Sequence, residues 1–270
     1  MNFISKFITV NHEYKTYLRS ISLLFLGGFS SSIFAQNKDS IIPKINNFAA
    51  VVTVQTKGIS TIPNLTLGKP AIIFDMKIGR KLTFEPQFRF SLEGKPWAMV
   101  FWWRYYAAAG KKYKMIFSTN YSLAYKSIVD TVPEPSVEMI RATRYLAATM
   151  LSNYQVNKYI GIDVYLFYTY GIEKFITRNT WMASFRPSFS NIPITKNIIA
   201  RIVPEIYYLK MDENDGVYLN ATLLISKKNF PISISGLINN PLKSNIPTNY
   251  GLLWNVGVTY TFTKKYTEVR

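Results

Sequence analysis

A chain of 270 residues that is 48% hydrophobic and 16% aromatic carries enough apolar surface for an ordered fold, which excludes a disordered or low-complexity protein. It has no cysteine, which excludes disulfide frameworks, thiolate metal sites and a lipidated N-terminal cysteine. Lysine and arginine total 32 against 15 acids, a formal net charge of +17, so anionic lipid, nucleic acid and acidic glycans are the neighbours that charge favours.

Residues 1–35 read as an export signal. Lys6, Lys15 and Arg19 form a basic region, ISLLFLGGF (21–29) a short apolar core, and SSSIFA ends at a cleavage site before Gln36. About ten apolar residues are too few to cross a bilayer as a helix, and no later window approaches 18. Residues 36–46 are expected to form a short periplasmic segment.

From residue 47 the dominant signal is period-two alternation. In LTFEPQFRFSLEG (82–94), Leu82, Phe84, Pro86, Phe88, Phe90 and Leu92 oppose Thr83, Glu85, Gln87, Arg89, Ser91 and Glu93. In PWAMVFWWRYY, Trp97, Met99, Phe101, Trp103 and Tyr105 share one face, opposite Ala98, Val100, Trp102, Arg104 and Tyr106. Twelve such strands are predicted, at 47–57, 70–79, 82–93, 96–107, 112–126, 136–149, 158–170, 177–190, 196–209, 216–226, 230–238 and 250–263. The sixth is the least regular, with Arg141 and Arg144 on opposite faces, and the eleventh reads as a short, irregular closure. No linker interrupts the array, so 47–263 is expected to be one domain and 264–270 a periplasmic tail.

Short lysine-rich connections, GRK (79–81), AGKK (109–112), ITKN (194–197) and SKKN (226–229), alternate with longer ones such as GISTIPNLTLG and NNPLKSNIPTN. With an even strand number and both ends periplasmic, the lysine-rich set becomes the periplasmic turns.

Alternation alone does not say which face is inside. The less apolar face is mostly Ser, Thr, Asn, Gly and Ala with a few charges, whereas a water-exposed soluble surface carries Lys and Glu along its strands. Trp and Tyr recur toward strand ends, as interfacial girdles do. The expected fold is therefore all-β, a transmembrane antiparallel up-and-down β-barrel of about twelve strands, with Phe84, Phe88 and Phe90 toward lipid and Glu85 and Arg89 toward the lumen. Pro86, Pro187, Pro204 and Pro231 fall within these strands and are expected at bulges or strand ends.

With this pattern, residues 36–270 resemble the outer-membrane β-barrel proteins of Gram-negative bacteria. The last strand, VGVTYTF, is similar to the aromatic-ended terminal strand that the barrel assembly machinery recognises, but here TKKYTEVR follows Phe262. The resemblance implies outer-membrane location, surrounding lipid and passage through that machinery, without naming an activity.

The residue inventory argues against enzyme chemistry. The only histidine, His12, lies in the signal, so the mature chain has no imidazole for a Ser-His-Asp triad or metal site. Barrel phospholipases, acyl-modifying enzymes and omptin-like proteases generally use histidine. Asp75, Glu85, Asp163 and Glu205 are expected in the lumen with Arg89, Arg104, Arg144, Arg186 and Arg201, each acid neutralised by a base across the wall. A register in which Leu92 meets Trp97 places Glu85 directly opposite Arg104. No catalytic residue, metal or cofactor is expected, and aromatics confined to an oily face argue against nucleic acid. The leading expectation is a narrow anion-preferring channel for small solutes. A scaffold or accessory subunit of an envelope machine, docking a periplasmic partner through Arg80, Lys81, Lys111, Lys112, Lys227 and Lys228, is the alternative, followed by a histidine-free lipid-modifying enzyme.

Overall fold

The computed structural model describes residues 45–130, 137–248 and 250–267, so the signal and the last three residues lie outside the described part. Twelve strands follow in order: β1 (Ile45–Gln55), β2 (Ala71–Gly79), β3 (Leu82–Ser91), β4 (Pro96–Ala109), β5 (Tyr113–Asp130), β6 (Val137–Gln155), β7 (Ile160–Gly171), β8 (Asn179–Pro193), β9 (Ile198–Met211), β10 (Asn214–Lys227), β11 (Ile232–Ser244) and β12 (Leu253–Thr267). Each pairs antiparallel with its neighbours in sequence, and β1 pairs with β12 to close the barrel. Closure removes the free edges that an open sheet would present to lipid.

The alternation sorts by burial. Glu205, Tyr207, Leu209 and Met211 on β9 are buried, while Ile206 and Tyr208 between them are exposed. The same division on β6 buries Tyr145, Ala147, Thr149 and Leu151 and exposes Leu146. Outside, Val164, Leu166, Phe185, Ile206, Leu219, Ile234 and Val256 form an exposed apolar belt. Tyr105, Tyr113, Tyr154 and Tyr159 rim it at the turn end, and Trp181, Tyr208 and Trp254 at the loop end. An apolar exterior between aromatic rims around a polar interior is the arrangement that lipid selects, and the fold is a transmembrane β-barrel.

Several boundaries differ from the sequence reading. The β5–β6 hairpin is longer, pairing from Tyr113 with Tyr154 up to Asp130 with Val137. Its loop end overhangs the barrel, because β7 reaches only as far as Tyr145. A ribbon wet on both sides has no reason to alternate, which explains the irregular pattern around Arg141. β11 is a full strand of 13 residues, not a short closure. β12 continues to Thr267 because Phe48, Asn47, Asn46 and Ile45 pair with Lys264 through Thr267, taking up most of the expected tail.

The prolines fall into a simple scheme. Pro231 precedes β11. Pro86 pairs with Phe101 on one side, but on the other the β2–β3 ladder stops at Asp75 with Gln87 and resumes at Ile78 with Phe84. The β8–β9 ladder stops at Phe185 with Ile206 and resumes at Phe189 with Ile202, a register that sets Pro187 directly across from Pro204. Two residues without an N–H thus share one interruption instead of causing two.

Candidate functional site

The lumen is layered. Its middle and periplasmic part hold the charged groups, and its external part an apolar plug.

On the β2–β4 wall Glu85 is the hub. Its carboxylate lies 2.7 Å from Arg104 Nε and 2.8 Å from Lys77 Nζ, and accepts hydrogen bonds from Thr83 Oγ1 at 2.9 Å and Tyr106 OH at 3.2 Å. The Arg104 Nε contact is an ion contact without the alignment of a hydrogen bond. Lys77 also rests over the Tyr106 ring at 4.4 Å, and the Arg104 guanidinium over Trp102 at 4.6 Å. Asp75 is buried beside them, and Arg89 Nη2 donates to Gln87 Oε1 at 2.8 Å.

The expected register is corrected here. Glu85 faces Trp102 and Thr83 faces Arg104, one inward step from the direct opposition predicted. The ion pair therefore forms on the diagonal, which long side chains span readily. The turn closes earlier than expected, with Phe90 against Pro96, and a bulge before Arg89 with Ala98, where Trp97 is the extra residue, restores the parity that keeps Glu85 and Arg104 on one face. It leaves Trp97 buried, away from the outer face where simple alternation places it.

On the opposite wall Glu205 accepts from Arg186 Nε at 2.5 Å, Ser184 Oγ at 2.5 Å and Asn220 Nδ2 at 2.7 Å. Asp163, also buried, accepts a hydrogen bond from Asn153 Nδ2. Arg201 lies on the same face of β9 as Glu205, and its buried Nε has no hydrogen-bond partner. Ion pairs bridge both interrupted ladders: Lys77–Glu85 beside Pro86, and Arg186–Glu205 beside the facing prolines.

Arg144 is placed differently from the sequence reading. Tyr145 and Ala147 set the inward parity of β6, so Arg144 is outward and exposed at the loop end. There its Nε donates to Glu173 at 2.6 Å and its backbone N–H to the same carboxylate at 2.8 Å. Lys77, absent from the predicted lumenal set, sits inside instead.

The external plug was not foreseen. The β1–β2 loop folds inward through a 3-10 turn at Pro63–Leu65, and Ile62 and Leu65 pack with Tyr207, Leu209, Met211 and Tyr218. From the β11–β12 loop Ile246 joins them. Trp97 Nε1 donates to Leu65 O at 2.8 Å and Tyr207 OH to Thr61 O at 3.3 Å. Tyr207 stacks on Tyr218 with ring centroids 5.0 Å apart. The loop base is drawn together by Leu67 N–H and Gly68 N–H donating to Gly58 O. A Cβ on Gly58 would sit 3.0 Å from Leu67 Cβ and from the Trp97 ring, tighter than ordinary contact, so glycine eases the close approach there. The legible signal was the loop itself: GISTIPNLTLG is more apolar than a solvated connection needs to be.

Away from these groups the wall is small and polar. Thr53, Ser235, Thr259 and Thr261 point inward and are half-buried, and Thr53 and Thr259 share a hydrogen bond of 2.9 Å. Among the described residues no three acidic, histidine or cysteine side chains converge as a metal site would require.

No protein-family profile matches the sequence. No curated protein matches it either. Among solved structures, the fold is similar to a KdgM porin in complex with disordered oligogalacturonate, at 9% identity and a TM-score of 0.49 over 80% of this chain and 99% of that one. It is also similar to the COG4313 outer membrane channel from Pseudomonas putida F1, at 6% identity and a TM-score of 0.47 over 86% of this chain and 100% of that one.

Proposed function

We propose that the barrel is a non-enzymatic diffusion channel that prefers small anions and is restricted at its external mouth by the inward β1–β2 loop. The observation that carries this reading is the charge of the lumen. Lys77, Arg89, Arg104, Arg186 and Arg201 face Asp75, Glu85, Asp163 and Glu205, five bases against four acids, and ion contacts engage Glu85 and Glu205 while Arg201 Nε keeps an unused donor. A confined basic excess raises the local concentration of anions. The half-buried hydroxyl wall of β11, β12 and β1 gives a hydrated path beside those charges.

Planar-bilayer recording of the refolded protein across a salt gradient tests the proposal. The intact protein should show small currents with an anion-selective reversal potential. Excising residues 59–66, whose ends already meet at Gly58 and Leu67, should raise conductance severalfold. Arg201→Gln should weaken the anion preference and Arg201→Glu should abolish it. Silence from both the intact and loop-deleted proteins would sink the channel reading and favour the accessory-subunit one.

A further inference from the structure

The outer surface carries one groove that the channel reading does not use. Near the periplasmic end of β8 two residues, Ser190 and Asn191, oppose the single Arg201 of β9, and Asn191 takes a left-handed φ of 57°. Beside the bulge lies an outward groove of about 440 Å³, lined by Tyr159, Ile160, Phe189, Ile192, Pro193 and Ile202 with Ser190 and Asn191. That volume lies within the range of small-molecule pockets. Asn191 Nδ2 donates to Lys158 O at 2.6 Å, tying the bulge to the β7 rim.

Cations crowd one end of this groove. Lys158 Nζ sits over the Tyr159 ring at 4.9 Å, which holds the ammonium at the aromatic girdle. Lys196 is exposed on the turn just after Pro193, and Lys228 Nζ reaches across to its carbonyl at 3.0 Å. The three turns that supply these lysines, 156–159, 194–197 and 228–231, contain no carboxylate.

We propose that the groove binds one anionic phospholipid of the periplasmic leaflet, an acyl chain lying over Phe189, Ile192 and Ile202 and the phosphate meeting Lys158 and Lys196. The apolar part faces the acyl region, and the lysines stand where headgroups lie. A zwitterionic lipid leaves the lysine cluster uncompensated. A second copy of this chain, related by a two-fold axis, brings the same lysines against each other.

Native mass spectrometry of the protein, equilibrated in neutral detergent with equal amounts of phosphatidylglycerol and phosphatidylethanolamine, tests this. One phosphatidylglycerol adduct should be retained in preference. Lys158→Glu with Lys196→Glu should reduce that preference about thirtyfold, about fivefold for each lysine, the ratio corresponding to ~1 kcal/mol per basic residue at an anionic surface. Ile202→Trp, an outward change that fills the groove, should remove the adduct of either lipid, with heat-dependent gel mobility confirming the fold of each variant. Equal retention of the two lipids by the wild type, or an adduct indifferent to both variants, would overturn the proposal. So would a dimer that Ile202→Trp dissociates.

Discussion

Glu85→Gln should destabilise the barrel by about 3–5 kcal/mol, the cost of leaving buried charge without its counterion. Glutamine keeps the shape and still accepts from Thr83 and Tyr106, so the change isolates charge. It strands Arg104, whose side chain is only 9% exposed, and leaves Lys77 to retreat toward water with 28% exposure. Adding Arg104→Gln in the same chain should recover part of the loss, because the carboxamides can then bond each other. Urea unfolding in micelles, followed by tryptophan fluorescence, measures all three variants. Strictly additive losses would show that the diagonal pair is not energetically coupled.

Phe101→Arg should cost about 2–4 kcal/mol, the penalty for a cation on the lipid face near the bilayer midplane. Phe101 is an outward residue flanked by Phe84 at 6.5 Å and Phe88 at 6.0 Å, so the guanidinium would have aromatic rings and lipid around it and no acid. Thr259→Arg on the half-buried inner wall should cost much less, since water and Thr53 are its neighbours. Ser118 is a poorer control than its inward position suggests, because it is buried and faces Arg104 across the ladder. Refolding into vesicles and comparing urea midpoints gives the contrast. Equal penalties at Phe101 and Thr259 would mean that the two faces are assigned wrongly.

The alternation made the strands and their faces legible, because a period of two survives any error in register that shifts pairing by an even number. Glu85 and Arg104 illustrate the limit. Their parity placed both inside, while an earlier turn slid the pairing and one bulge residue, Trp97, restored its parity and turned itself inward. Nothing local distinguishes an extra residue in a strand from an ordinary one. Arg144 differs for another reason: the inward parity of β6 is set by Tyr145 and Ala147, and a tyrosine and an alanine mark a lumenal face less plainly in sequence than an arginine does. The plug was hidden because Ile62 and Ile246 meet Tyr207 and Tyr218 only through closure, and contacts so distant in sequence leave no periodic trace. The pairing of Pro187 with Pro204 is intelligible only with β8 and β9 side by side.

The interruptions beside Pro86 and beside Pro187 and Pro204 have a mechanical consequence. In a ring of twelve strands, the β2–β3 and β8–β9 seams are diametrically opposed, dividing the wall into one half-shell of β3 to β8 and another of β9 to β12 with β1 and β2. A cylinder scored along two facing lines ovalises more readily than it stretches. Each seam is latched on the inside by an ion contact, Lys77–Glu85 on one and Arg186–Glu205 on the other, and carries only side chains and lipid outside. Amide protons flanking the two seams, those of Met76 and Ile202 among them, should exchange sooner than those of the unbroken β5–β6 ladder. The width of the lumen is then set by electrostatic clasps, and its fluctuation is directional, along the axis that joins the two seams or across it.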